Sequence, residues 1–263
     1  MNNIFAIVGG DKRHILLAEK LKIKGKVEIY GLDKKLPSTN SLANVIGNSN
    51  IIISAIPFTR DNIHINTPLS NEKIQIKRFN ELTKDKLVLT GTDFLENEEY
   101  NIFNAELTTE AIIGILINEL HIRIMNSSVL ILGYGRIGRI LLKYLKKLYS
   151  NVYCTYNNEK EKAWIKVNKG IPIEFNKIQN FLNIRFDCII NTIPDVILKE
   201  AELKLIKDTI ILDIASEKCL NNNRILEINN IQYFQKLGLP GKYFPYISAD
   251  IMENIILEKI KII

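Results

Sequence analysis

The reading of this chain turns on Ser128-Val129-Leu130-Ile131-Leu132-Gly133-Tyr134-Gly135-Arg136-Ile137-Gly138. Four apolar residues run directly into a GxGxxG spacing. Ile140, Leu141, Tyr144, Leu145 and Leu148 then recur at helical intervals, with Arg139, Lys143, Lys146 and Lys147 on the opposite face. The pattern reads as strand, tight turn and amphipathic helix, the context in which GxGxxG has a physical meaning. Gly133 permits the turn, Gly135 lets backbone approach a pyrophosphate, and Gly138 lets helix and strand pack closely. The positive end of a helix beginning near Ile137 would then hold the phosphates.

The rest of the chain supplies matching elements. Ile4 to Val8 reads as a strand, followed by a Gly9-Gly10-Asp11-Lys12-Arg13 turn and a helix with Ile15, Leu16, Leu17 and Leu21 on one face, stopped by Gly25. Val27 to Tyr30, Asn50 to Pro57, Leu87 to Thr90 and Asn101 to Ala105 read as further strands of the first half. In the second half the strands are Asn151 to Tyr156, Asp187 to Thr192, Thr209 to Ala215 and Ile231 to Phe234. Apolar strands alternating with helical segments predict parallel sheets covered on both faces. The expected fold is α/β: two Rossmann-like domains with parallel sheets, the NAD(P)-binding domain second, joined by long helices. An N-terminal, flavodoxin-like domain spans residues 1–107, a connecting helix residues 108–126, and the dinucleotide-binding domain residues 127–244. The closing helix, read from Ser248 and assigned to residues 245–263, is expected to pack back on the first domain. In the connecting helix Thr108 or Thr109 would cap and Glu110 would suit the first turn. The Gly9-Gly10 turn lacks the full fingerprint, so one cofactor site is expected.

Composition narrows the function. The chain has 263 residues, 46 % of them hydrophobic and 24 % charged, with a net charge of +6. Its lysines are scattered over helical faces without an arginine cluster, which argues against a nucleic-acid partner. The most apolar helix, Thr108 to Met125, carries Glu110, Glu119, His121 and Arg123, so no membrane span is expected. The sequence opens directly on a predicted strand, and no signal peptide is expected. Cys154, Cys188 and Cys219 show no paired spacing, which fits a reduced cytoplasmic compartment. No group of Asp, His and Cys has metal-ligand spacing, and no metal is expected. The histidines are His14, His64 and His121. His14 reads as a helix-surface residue and His121 as a structural residue of the apolar helix, while His64 sits in a loop that could face a cleft. None lies late in the chain, unlike the catalytic histidine of two-domain 2-keto-acid reductases.

A dinucleotide site of the NAD type usually carries Asp or Glu about 20 residues beyond the glycines, on the ribose 2′-OH. Here that place reads Tyr156-Asn157-Asn158-Glu159-Lys160. Asn157 and Asn158 can donate to a 2′-phosphate and Lys160 or Lys162 can add charge, which favours NADP, with NAD as the alternative if Glu159 occupies the position.

With these residues in view, the chain resembles the A-subunit family of dipicolinate synthase from endospore-forming bacteria. The matching segments are Ile7-Val8-Gly9-Gly10-Asp11-x-Arg13, Asn104 to Glu110, the glycine turn, Ile190 to Pro194, Leu212 to Ser216, and Gly238-Leu239-Pro240-Gly241-Lys242. The resemblance implies an oxidoreductase of a lysine-branch pathway in the mother-cell cytoplasm of a sporulating bacterium. It would oxidise dihydrodipicolinate, or its hydrated tetrahydro precursor, with NADP as acceptor and a flavoprotein-like B subunit as partner. A homo-oligomer stays open. Carried over residue by residue, Gly133, Tyr134, Gly135, Arg136, Ile137 and Gly138 hold the pyrophosphate, and Tyr156, Asn157 and Asn158 face the adenosine ribose. Thr192, Ile193 and Pro194 line the nicotinamide side, with Ala215 beside them. Arg13 and Lys242 are the cations offered to a small dicarboxylate, against the alternative of solvated surface charge, and Glu110 is the candidate proton acceptor, against a capping role. The family usually has a proline-glycine-glycine turn where this chain has Glu217-Lys218-Cys219-Leu220. Phe244 replaces a small residue, and Ile247-Ser248-Ala249 replaces threonine-alanine-glycine. These departures leave two other readings open: a dehydrogenase of another small carboxylated substrate, and a non-catalytic NAD(P)-binding subunit whose partner carries the chemistry.

Overall fold

A computed structural model describes residues 3–32, 40–220 and 224–261. Residues 1–2, 33–39 and 221–223 of the expected domains, and Ile262 and Ile263 of the expected closing helix, lie outside the described residues. The chain divides into two compact units, one made of residues 1–104 and 240–263 and the other of residues 105–239.

Unit 1 holds four parallel strands, β1 (Ile4–Val8), β2 (Lys26–Tyr30), β3 (Ile51–Ser54) and β4 (Leu87–Leu89), in the order β2-β1-β3-β4. Alternation along the central strands sorts side chains to two buried faces. Phe5, Ile7, Ile51 and Ile53 pack with Leu17 and Leu21 of helix Lys12–Leu21 and with Met252, Ile255 and Ile256 of helix Pro245–Lys261. Ala6, Val8 and Ile52 pack on the other side with Val45, Ile46 and Phe79. Each such fully buried aliphatic or aromatic side chain contributes roughly 1.5–3 kcal/mol. The closing helix starts at Pro245, three residues before Ser248, because a proline's fixed φ suits a first helical position. The helix after β1 ends at Leu21 rather than at Gly25. Gly25 serves close packing instead: a β-carbon there would stand 2.2 Å from the Asn3 carbonyl oxygen.

Unit 2 holds six parallel strands, β5 (Ser128–Leu132), β6 (Asn151–Tyr156), β7 (Ile171–Glu174), β8 (Cys188–Asn191), β9 (Thr209–Asp213) and β10 (Ile231–Gln235). Their order, β10-β9-β8-β5-β6-β7, is the doubly wound arrangement with its switch point between β5 and β8. β7 is absent from the reading of the sequence because Pro172 interrupts its apolar run. At the sheet edge a missing N–H is tolerated. Helix Arg136–Lys147 packs on β5 and β6 and buries Leu141, Leu142 and Leu145. Cys154 and Cys188 are buried within strands, where burial pushes their thiols up, and all three cysteines are free.

The expected strand Asn101 to Ala105 and helix 108–126 are replaced by one helix, Glu98–Asn118, which contains the boundary between the units. Asn97 caps it, its Oδ1 accepting the Tyr100 N–H at 2.9 Å, and Glu98 and Glu99 occupy the positive first turn. Thr108, Thr109 and Glu110 are therefore helix interior rather than cap and first turn. Thr109 instead returns its hydroxyl to the Ala105 carbonyl at 2.9 Å. The helix stops before Met125 because the Leu120 and Ile122 amides turn back to the Ile115 and Leu116 carbonyls and His121 takes φ 52°. His121 is thus an exposed residue beyond the helix. Among the described residues no helix is long and apolar enough to cross a membrane, and no three His, Cys, Asp or Glu side chains group around a metal position.

Candidate active site

In unit 2 the glycine turn follows β5 at the carboxyl edge of the sheet. Gly133 takes φ +101°, and a β-carbon on it would stand 2.6 Å from Thr192 Oγ1 and 2.8 Å from the Ile193 side chain. Its N–H donates to Thr155 Oγ1 at 2.7 Å, which ties the turn to the end of β6. At Gly138 a β-carbon would stand 2.1 Å from the Gly133 carbonyl oxygen, so only glycine lets the helix start this close to the strand. Gly135 is different: it takes φ −73° as the helix N-cap, supplies no side-chain cap, and has nothing within 4 Å of a β-carbon. The turn is built around glycines at both ends and is open at its middle, which fits a diphosphate laid against backbone at a helix N-terminus. Tyr134 is buried, with the Arg139 guanidinium 5.4 Å from its ring centre and Arg139 Nε donating to its carbonyl at 3.1 Å. Arg136 is exposed and Ile137 half-buried.

At the end of β6, Tyr156 is buried and Asn157 and Asn158 are exposed. Asn158 Oδ1 caps the next helix by accepting the Glu161 N–H, and Glu161 Oε2 reaches back to the Asn157 N–H, both at 2.9 Å. Lys162 pairs with Glu159 at 3.0 Å. The carboxylate hydrogen-bonded at the strand end is therefore Glu161, where the sequence pointed to Glu159.

The opposite wall centres on Asp213, a fully buried carboxylate at the end of β9 that the sequence reading also missed. Its Oδ1 accepts Asn191 Nδ2 at 2.9 Å and the Ala215 N–H at 3.1 Å. Its Oδ2 accepts the Cys219 N–H at 2.7 Å and the Tyr233 hydroxyl at 2.8 Å. Burial, and then the neighbouring Asp213, push the Tyr233 hydroxyl and the Cys219 thiol up. The Glu217 to Leu220 segment is thus hung from Asp213 through Cys219. With Pro194, Asp195 and Gln235 it lines a cleft of about 700 Å³ along the carboxyl ends of β8 to β10. Thr192 Oγ1 donates to the Leu132 carbonyl at 2.8 Å, so Thr192 and Ile193 lie at the glycine turn, while Pro194 faces the cleft and Ala215 is buried behind it. Glu110 is an exposed carboxylate midway along helix Glu98–Asn118.

In unit 1 the Gly9-Gly10 turn is filled by the chain itself: a β-carbon on Gly9 would meet Ile65, Asn66 and Thr67 within 3.2 Å. The Gly10 N–H donates to the Asn66 carbonyl at 2.9 Å. Arg13 is neither a surface charge nor a free fork. It is 5 % exposed, with Nε and Nη2 on the Asp11 carboxylate at 2.8–3.1 Å, Nη2 also on the Ile56 carbonyl at 2.7 Å, and Nη1 3.4 Å from the Tyr100 hydroxyl. Its fork is occupied by Asp11, two residues back, and by Ile56 and Tyr100 from segments distant in sequence. His14 is likewise not at the surface but fully buried, its Nδ1 accepting the Asp11 N–H at 3.2 Å. Burial holds the ring's pKa below its ordinary value. Burial works against the Asp11 charge, yet the neighbouring His14 ring and the Arg13 guanidinium prevail and hold its carboxyl below the usual range. Gly241 of the Gly238 to Lys242 segment lies against this pair, and Lys242 is exposed one residue on. Gly241 of the later motif therefore meets Asp11 and Arg13 of the first inside unit 1.

The family model for the N-terminal domain of the dipicolinate synthase A subunit matches residues 4–98. The A subunit of dipicolinate synthase from Bacillus subtilis (strain 168) is 24 % identical over 95 % of this chain and 93 % of its own length. The crystal structure of the A subunit from Bacillus halodurans superposes with a TM-score of 0.80 at 22 % identity, covering 97 % of each chain. A Salmonella D-lactate dehydrogenase structure shares the fold at TM-score 0.60 and 11 % identity, over 89 % of this chain and 78 % of its own. The chain is similar to the dipicolinate synthase A subunit along nearly its whole length and has a dehydrogenase-like α/β fold of two Rossmann-type units.

Proposed function

We propose that this protein is an oxidoreductase that uses a nicotinamide dinucleotide to convert dihydrodipicolinate, or its hydrated tetrahydro precursor, to dipicolinate. It works as the A subunit beside a flavoprotein-like B subunit, in the mother-cell cytoplasm during sporulation. The observation that carries this reading is the open Gly135 between the closely packed Gly133 and Gly138. The bound cofactor, NADP with NAD as the alternative, supplies a hydride acceptor. Gly133 to Gly138 hold its diphosphate, Tyr156, Asn157 and Asn158 face its ribose, and Thr192, Ile193, Pro194 and Ala215 form the side toward the nicotinamide. Loss of a hydride and a proton, together with a water molecule where the hydrated precursor is the substrate, makes the ring aromatic, which provides much of the driving force. The protein's task is then mainly orientation.

Glu110 is proposed to take the proton from an exposed position. Lys242 is proposed to meet a substrate carboxylate as a point charge. Arg13 is assigned a positioning role instead, fixing the start of its helix and the Gly241 segment through Asp11.

The experiment is the near-ultraviolet absorbance of reduced nicotinamide with the cyclic precursor, with and without the B subunit. Reduction with either NADP or NAD supports the reading. Dinucleotide binding without reduction in either case replaces it with a non-catalytic role, and Glu110→Gln should lower kcat by about 10²-fold.

A further inference from the structure

Unit 1 carries a second concavity, of about 280 Å³, at the loop that follows β3 and crosses the end of β1. In open parallel sheets the carboxyl ends of the strands are where ligands bind. Arg60, Asp61, His64, Thr67, Glu72 and Lys73 are among its lining residues. The formal charges there nearly cancel, but their commitments do not. Asp61 is taken: its Oδ1 accepts the Ile63 and His64 N–H groups at 2.9 and 2.7 Å, and its Oδ2 accepts His64 Nδ1–H at 2.8 Å. Glu72 accepts the Tyr30 hydroxyl at 3.1 Å. Among the described residues, Arg60 and Lys73 have neither an ion pair nor a hydrogen bond. Asp61 and Glu72 keep their negative charge, and the cationic side-chain donors still free to bond a ligand are those of Arg60 and Lys73. Asp61 also fixes the His64 ring through Nδ1, leaving Nε2 as its remaining hydrogen-bonding atom, the arrangement by which a carboxylate orients a working imidazole.

We propose that this pocket binds a small ring bearing two carboxylates, with Arg60 and Lys73 supplying the charge and His64, held by Asp61, the directional polar contact. This rests on the oxidoreductase reading for its ligand class. It also answers a gap in that reading, since the Arg13 fork is filled by Asp11. Arg60 can engage a carboxylate through two parallel N–H bonds and Lys73 through one. The volume lies near the ~300 Å³ lower end for ligand sites, which suits a small molecule.

Calorimetric titration of the full chain with pyridine-2,6-dicarboxylate tests the assignment, with NADPH and NADH titrated in parallel. The double variant Arg60→Ala/Lys73→Ala should weaken dicarboxylate binding at least tenfold and His64→Gln several-fold. Dinucleotide affinity and melting temperature should stay at wild-type values. Dicarboxylate affinity unchanged in both variants, or inorganic phosphate competing as well as the dicarboxylate does, overturns the assignment. Wild-type protein that binds dinucleotide but not the dicarboxylate sinks the pocket and spares the oxidoreductase reading. Variant-sensitive dicarboxylate binding without any dinucleotide binding does the reverse.

Discussion

Gly241 lies against Asp11: a β-carbon at position 241 would stand 2.8 Å from Asp11 Oδ2 and 2.9 Å from Arg13 Nε. The glycine is demanded by a buried ion pair that cannot retreat, since Arg13 is itself fixed on Ile56 and Tyr100. Gly241→Ala should therefore destabilise unit 1 by about 1–3 kcal/mol, the usual cost of overpacking. Thermal unfolding of the full chain checks this, and a variant melting with the wild type would show that the pair gives way freely.

The same cluster sets an acid limit on stability. Folding lowers the pKa of His14 and of Asp11, so both favour the folded state most above their unfolded values, about 6.5 and about 4. His14's share fades as the pH falls below about 6.5, and Asp11's fades below about 4. Asp11→Asn should flatten the lower part of that decline and Arg13→Ala should cost about 1–3 kcal/mol near neutrality, because it leaves the half-buried Asp11 carboxylate without its partner. Urea midpoints across the acid range measure both; an Arg13→Ala protein as stable as wild type would remove the structural role.

Gly135→Ala separates binding from folding. Its φ of −73° is open to alanine and nothing crowds the new methyl, so the cost should stay within the ~1 kcal/mol by which alanine is the poorer N-cap. The methyl nevertheless enters the space assigned to the diphosphate. Affinity for both nicotinamide dinucleotides should fall at least tenfold, about 1.4 kcal/mol. Unaltered affinity by fluorescence titration would move the cofactor away from this turn.

Glu161 bears on which dinucleotide is preferred. Its carboxylate sits on the Asn157 amide at the end of β6, while Lys162 is spent on Glu159. A 2′-phosphate placed there meets a like charge, which electrostatic complementarity penalises. Glu161→Gln should shift the ratio of NADP to NAD affinity toward NADP by about tenfold. A ratio equal to that of the wild type would exclude Glu161 from the ribose region.

Local pattern made the parallel strands legible, because β1, β3, β5, β8 and β9 are buried on both faces and read as continuous apolar runs. Ile102 and Phe103 imitated such a run although they are exposed on a helix. The overlooked signal there was Asn97 followed by two glutamates. Pro172 hid β7 because the rule against proline holds for interior strands and relaxes at edges. In the glycine turn the sharp turn at Gly133 and the close helix–strand packing at Gly138 were legible. Arg13, His14 and Asp213 were not, since their burial depends on Tyr100, Ser54 and Tyr233, which no spacing along the chain connects to them.

Asp213 bears on how a molecule entering the cleft of unit 2 would be held. Four donors from β8, β10 and the loop after β9 converge on one carboxylate, so this wall is preorganised and an arriving guest loses little entropy in ordering it. Substitutions along that wall should act chiefly on residence time, with association rates nearly constant.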